Sequence, residues 1–116
     1  MEKEKIKTVE DVIRLLGDKT PFERDVLVAT FGIPKGKVST YSRVAQKIGK
    51  PRAFRAVGNA LHKNPLAPIV PCHRVVRSDG GFGGEPESAK SRKRLLEKEG
   101  ILTENGKVKL NKEILF

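Results

Sequence analysis

The chain has 116 residues, 33% of them charged and 37% hydrophobic, which fits one soluble globular domain with a modest core of its own. It carries 1 cysteine and 2 histidines, so an internal disulfide is excluded, and a zinc site built from four Cys or His ligands is not expected. Lys and Arg outnumber Asp and Glu by 24 to 14, and the resulting net charge of +10 favours polyanionic partners, nucleic acid first.

No apolar run approaches membrane-spanning length, and no signal-type hydrophobic core follows Met1-Glu2-Lys3-Glu4-Lys5, so a cytoplasmic protein is expected. Thr8-x-x-Asp11 reads as a capping box, with Val9, Val12, Ile13 and Leu16 at helical spacing before Gly17. A second helix opens at Thr20-Pro21-Phe22-Glu23, where Thr20 can cap, Pro21 suits the first position and Glu23 completes the box. Phe22, Val26, Leu27, Val28, Ala29 and Phe31 make it apolar on more than one face, the mark of a central core helix, and Gly32 ends it. Residues 33–38 read as a turn and a short extended piece leading into Ser39-Thr40. Tyr41, Val44, Ala45 and Ile48 then share one helix face, closed by Gly49.

Pro51 suits the first position of the next helix, expected over residues 51–63. Ala53, Val57, Ala60 and Leu61 lie on its inner side, small enough for two helices to approach closely, while Arg52, Arg55, Asn59 and His62 lie outside. Two helices joined by a tight turn, the second basic on its outer face, read as a DNA-docking unit; a plain helical hairpin with a solvated face is the alternative.

Asn64-Pro65 breaks that helix, and the apolar stretch up to Pro71 contains Pro68 as well, so it is stiff and cannot be helical. It delivers Pro71-Cys72-His73-Arg74-Val75-Val76, which holds the single cysteine. Cysteine reacts as its thiolate, which cationic or histidine neighbours stabilise, and His73 and Arg74 are such neighbours in sequence. In an extended segment successive side chains diverge, so a tight turn or a bridging water is needed to join them. An inert buried cysteine is the competing reading. Arg77-Ser78-Asp79-Gly80-Gly81-Phe82-Gly83-Gly84 lacks the context of a phosphate loop and reads as the wall of a small pocket. A final helix is expected within residues 88–99, with Arg92, Leu95, Leu96 and Glu99 on one face, which places a carboxylate beside leucines where it needs a partner. The alternation in Lys107-Val108-Lys109-Leu110 suggests a weak strand, and Ile114-Leu115-Phe116 is expected to pack back.

The run 22–100, above all Arg55-Ala56-Val57-Gly58-Asn59-Ala60 through Asn64-Pro65 to Pro71-Cys72-His73-Arg74-Val75-Val76, resembles the C-terminal domain of the O6-alkylguanine-DNA alkyltransferases. The resemblance implies a mainly α winged helix-turn-helix with a small β wing, acting as a monomer without metal or cofactor on double-stranded DNA that contains O6-alkylguanine, with downstream repair factors as possible partners. It implies Cys72 as nucleophile and alkyl acceptor, His73 as its water-linked base, Glu99 behind the imidazole, Asn64 bracing the turn and Tyr41 donating a proton towards guanine N3. Arg55 would fill the gap left by the flipped base. Arg52, Ala56, Gly58, Asn59, Thr40 and Ser42 would complete the DNA contacts, and Pro71, Val76, Ser78, Glu85 and Ser88 the substrate pocket. The pattern departs from the family at Gly84-Glu85-Pro86-Glu87-Ser88, where an aromatic and glycines are usual. Alkyltransferase-like proteins share this compact size, but in them the cysteine is replaced and they only bind lesions. A winged-helix regulator would account for the charge and helices but not for the cysteine, asparagine and glutamate together.

Overall fold

Reciprocal capping boxes start the first two helices of the computed structural model, which describes residues 6–116. The segment Met1 to Lys5, where no signal-type core is expected, lies outside the described residues. Thr8 Oγ1 accepts the N–H of Asp11 while the Asp11 carboxylate accepts that of Thr8, opening α1 (Val9–Leu15). Thr20 and Glu23 do the same for α2 (Pro21–Phe31). Each box satisfies N–H groups that the first helical turn leaves without a partner. Val26, Leu27 and Thr30 of α2 are fully buried, with the Thr30 hydroxyl donating to the Val26 carbonyl at 2.7 Å, so α2 is the core helix its apolar pattern predicts.

Next come α3 (Tyr41–Lys47) and α4 (Phe54–His62), the helix-turn-helix pair. Val44 and Ala45 of α3 share one core with Val57, Ala60 and Leu61 of α4 and with Val12, Val26 and Leu27 beneath them. The expected helix start at Pro51 is corrected by the backbone. Ala53 N–H donates to the Lys50 carbonyl at 2.9 Å, which makes 50–53 a turn with Pro51 at its second position, and α4 begins only at Phe54.

The strand before α3 and the strand after Cys72–Arg74 form a short parallel pair, β1 (Ser39–Thr40) with β2 (Val75–Val76), in the register Ser39↔Val75 and Thr40↔Val76. Alternation sends Val75 into the first core and Val76 into a second one, shared with Val38, Leu96, Ile101 and Val108. Leu96 belongs to α5 (Pro86–Lys98), which starts two residues earlier than the expected Ser88 because Pro86 takes the first turn with Glu85 at the N-cap. The wing is an antiparallel hairpin of β3 (Thr103–Glu104) and β4 (Lys107–Val108). Its turn, Asn105-Gly106, has φ of 54° and 77°, the two left-handed positions of a type I′ turn. The wing docks where Val108 N–H donates to the Gly80 carbonyl at 2.8 Å; a methyl on Gly80 would stand 2.2 Å from the Val108 oxygen. The tail packs back as expected, Phe116 N–H donating to the Val38 carbonyl at 2.7 Å. No helix among the described residues is long and apolar enough to cross a membrane.

Candidate active site

The prolines shape the turn that carries Cys72. Pro71 has φ −83° and ψ 69°, and Cys72 N–H donates to the Val70 carbonyl at 2.9 Å, which together form an inverse γ-turn. Cys72, His73 and Arg74 follow as a single 3-10 turn, so the backbone is not extended here and the divergence of an extended pair does not apply. Asn64 closes the loop from the other side. Its Nδ2 donates to the same Val70 carbonyl at 2.8 Å and its Oδ1 accepts the Leu66 N–H at 2.9 Å, so one carboxamide spans both ends of the proline-rich stretch.

Next to Cys72 in the chain, His73 and Arg74 enter a partly buried network with Glu99. His73, 3% exposed, has Nε2 at 2.9 Å from Glu99 Oε2. A carboxylate only accepts, so Nε2 carries a proton, and in the neutral ring Nδ1 is the nitrogen with the lone pair. Arg74 donates to the same carboxylate twice, from Nε to Oε1 at 2.8 Å and from Nη2 to Oε2 at 2.9 Å, and from Nη1 to the Ile33 carbonyl at 2.8 Å. Burial pushes the Glu99 carboxyl up, but the hydrogen bonds and charges of Arg74 and His73 outweigh it and hold the group below the usual carboxylate range. Glu99 caps the C-terminus of α5, the dipole end that disfavours an anion, and the Arg74 guanidinium with the His73 N–H offsets this. Arg74 enters the sequence reading only as a cation beside Cys72. Its link to Glu99 spans 25 residues, and only the unpartnered carboxylate hinted at it.

A cavity of about 280 Å³ opens onto this turn and brings together Cys72, His73, Asn64, Tyr41 and Ser88. Gly58, Leu61 and His62 of α4 and Ser91, Arg92 and Leu95 of α5 complete most of the wall. Ser88, Ser91, Arg92 and Leu95 follow helical spacing inside the expected helix 88–99, and of the four only Ser88 is expected at the pocket. Arg92 is held by the Gly83 carbonyl, and Gly84, at φ +81°, leaves room for His62, whose Cε1 would lie 2.6 Å from a methyl there. The other residues expected at the pocket do not line this cavity. Val76 is fully buried in the second core and Pro71 is buried at the γ-turn behind the thiol. Glu85 is exposed because Pro86 begins α5 and turns it outward, and Ser78 lines a neighbouring recess with Tyr41, Ser42, Phe54, Arg77 and Asp79.

Arg52, Arg55, Ala56 and Asn59 are all exposed on or just before α4, as a docking face requires. Gly58 is half-buried on the side of α4 that faces Tyr41, where a methyl would stand 3.9 Å from the Tyr41 ring. Thr40 also has another task. It is 5% exposed and its Oγ1 accepts the Arg43 N–H at 3.1 Å, so it caps α3 and its side chain is not part of the outer face. Ser42 is half-buried, 3.5 Å from the Ser78 hydroxyl across the recess.

A helix-turn-helix domain with a cysteine held before a buried histidine–glutamate pair is the class these features define. The chain belongs to the family described as 6-O-methylguanine DNA methyltransferase, DNA binding domain, whose model matches residues 21–101. It is 49% identical over 72 residues to a methylated-DNA–protein-cysteine methyltransferase of Methanosarcina barkeri, covering 62% of this chain and 46% of that protein. Its counterpart in Methanothermobacter thermautotrophicus is 44% identical over 88 residues, covering 76% and 49%. The chain thus spans about half the length of these curated relatives. Among solved structures, the Mycobacterium tuberculosis O6-methylguanine methyltransferase superposes with a TM-score of 0.66 at 42% identity, covering 69% of this chain and 48% of that one. S. pombe Atl1, in complex with damaged DNA containing O6-carboxymethylguanine, superposes with a TM-score of 0.71 at 36% identity, covering 82% and 94%.

Proposed function

We propose that this protein repairs DNA directly, by moving an O6-alkyl group from guanine to Cys72 in a single, irreversible event. The observation that carries this reading is the alignment of Cys72 on the cavity wall with His73, whose Nε2 is committed to Glu99 at 2.9 Å. A proton on Nε2 leaves Nδ1 to take the thiol proton through a water, and Glu99 stabilises the imidazolium that forms. The thiolate then attacks the alkyl carbon: the S–C bond forms and the C–O6 bond breaks. The electron pair passes to the guanine ring, and the Tyr41 hydroxyl supplies the proton at N3.

An O6-alkyl carbon cannot be reached inside the duplex, so the nucleotide must be extruded. Arg52, exposed in the turn before α4, attracts the phosphates, and Arg55 at the start of α4 fills the vacated stack. Ala56 and Asn59 lie on the same exposed face and Ser42 beside it. Asn64 fixes the turn that presents the thiol. Because the thioether is stable, each molecule acts once, as a monomer. A lone free cysteine suits a reducing compartment, and we place the protein in the cytoplasm.

Lesion sensing without transfer is the second reading, favoured by the 94% coverage of S. pombe Atl1. Nucleoside analysis of a duplex carrying one O6-methylguanine separates the two. Transfer restores guanine in equimolar amount and is lost in Cys72→Ala; tight binding that leaves the methylated base intact contradicts transfer.

A further inference from the structure

Phe54 is an anomaly on the outer surface of the helix-turn-helix pair. It is 44% exposed, whereas the other large exposed apolar side chains among the described residues, Val9, Ile13, Leu95, Leu102 and Phe116, all lie outside α3 and α4. Its position is the first residue of α4, directly before Arg55 and directly after the tight turn 50–53. One helical turn on, at i+4, stands Gly58, which faces the Tyr41 ring, so Phe54 lies on the Tyr41 side of α4. There it lines a recess with Tyr41, Ser42, Arg77, Ser78 and Asp79. Tyr41 also lines the cavity that holds Cys72, so recess and cavity adjoin through one side chain.

The surroundings select the occupant. Arg77 lines the recess with the ring, Arg52 and Arg55 are exposed close to it in sequence, and Asp79, the one carboxylate lining the recess, lies 3.3 Å from Lys107 and 3.9 Å from Arg77, which offset its charge. An exposed apolar ring beside Arg77 on a basic face fits a ligand with anionic edges and an apolar interior surface, which is the sugar and base-edge surface of a DNA minor groove.

Resting on the alkyltransferase reading, we propose that Phe54 is a second wedge of the DNA interface. Arg55 fills the place of the extruded base. Phe54, about 100° further round the helix, packs against the deoxyribose and base edge of the adjoining nucleotide and holds the strand open beside Tyr41. Contact of this kind is tolerant of sequence, because every nucleotide offers the same apolar faces. Phe54 is therefore a positioning residue: it touches the flanking strand and not the reacting atoms.

The test compares transfer from O6-methylguanine in duplex DNA with transfer from free O6-benzylguanine, for the parent, Phe54→Ala and Phe54→Leu. The expected result is a fall of about tenfold in the duplex rate for Phe54→Ala, an unchanged rate with the free base, and substantial recovery in Phe54→Leu. Replacing a ring this exposed leaves the core intact, and the free-base rate verifies that in the same proteins. A duplex rate within about twofold of the parent, or an equal fall with both substrates, overturns the inference while leaving transfer to Cys72 standing. A parent protein that takes no alkyl group from either substrate removes the reading beneath it, a result distinct from both.

Discussion

His73 and Glu99 meet through Nε2 and Oε2 at 2.9 Å, and this contact decides which imidazole nitrogen keeps its lone pair. Glu99→Gln preserves the size of the side chain and a hydrogen bond but removes the charge that stabilises an imidazolium and balances Arg74. The expected outcome is single-turnover transfer slowed roughly tenfold or more, with affinity for lesion-bearing duplex nearly unchanged. Equal losses in rate and affinity would show that Glu99 only supports the fold.

The same carboxylate sets a pH dependence. Its folded pKa lies below the usual range, so its contribution to stability is complete above the unfolded value, about 4.3, and disappears as pH falls through the lowered folded value. Asp11, Glu23, Asp79 and Glu97 are lowered too, so the difference between parent and Glu99→Gln isolates the effect. Denaturant melts at several pH values should show the parent losing more stability than the variant on acidification below about pH 5. Parallel loss would contradict the assignment.

Asn64 bonds the Val70 carbonyl and the Leu66 N–H at once, and Asn64→Ala leaves the Leu66 N–H without this acceptor and the Val70 carbonyl with the Cys72 N–H alone. The expected cost is about 2 kcal/mol, measured by denaturant unfolding. Asn64→Asp keeps an acceptor for Leu66 but sets a carboxylate oxygen against the Val70 carbonyl, so it should not recover the loss at neutral pH. Recovery would show that the bond to Val70 matters little.

Arg55 is exposed on α4 and bonds to nothing that shapes the cavity. Arg55→Ala should slow repair in duplex DNA while reaction with free alkylguanine proceeds at the parental rate. A uniform fall in both would remove its role as the residue that fills the stack.

Much of this was legible in the sequence where the signals are local. The capping boxes at Thr8 and Thr20 start helices where their spacing predicts, because both partners lie within one turn. Asn64 and Cys72 fall in one continuous motif and meet at one cavity. Contacts distant in sequence were not legible: the parallel pairing of Ser39–Thr40 with Val75–Val76 and the Arg74 clamp on Glu99 join segments that no periodicity links. Proline misled twice, since Pro51 serves a turn before α4 and Pro86 opens α5 early, which removes Glu85 from the pocket wall. The Asn105-Gly106 signal for the wing hairpin was present but lay in a tail read only as a weak strand.

The central claim is that Cys72 accepts the alkyl group, and intact-mass analysis tests it most directly. After incubation with a duplex containing O6-methylguanine, the protein should gain one methyl group in place of the thiol hydrogen, localised to the Cys72 peptide and saturating at one per molecule. An unchanged mass beside tight lesion binding, or a methyl group that persists in Cys72→Ala, would contradict the account.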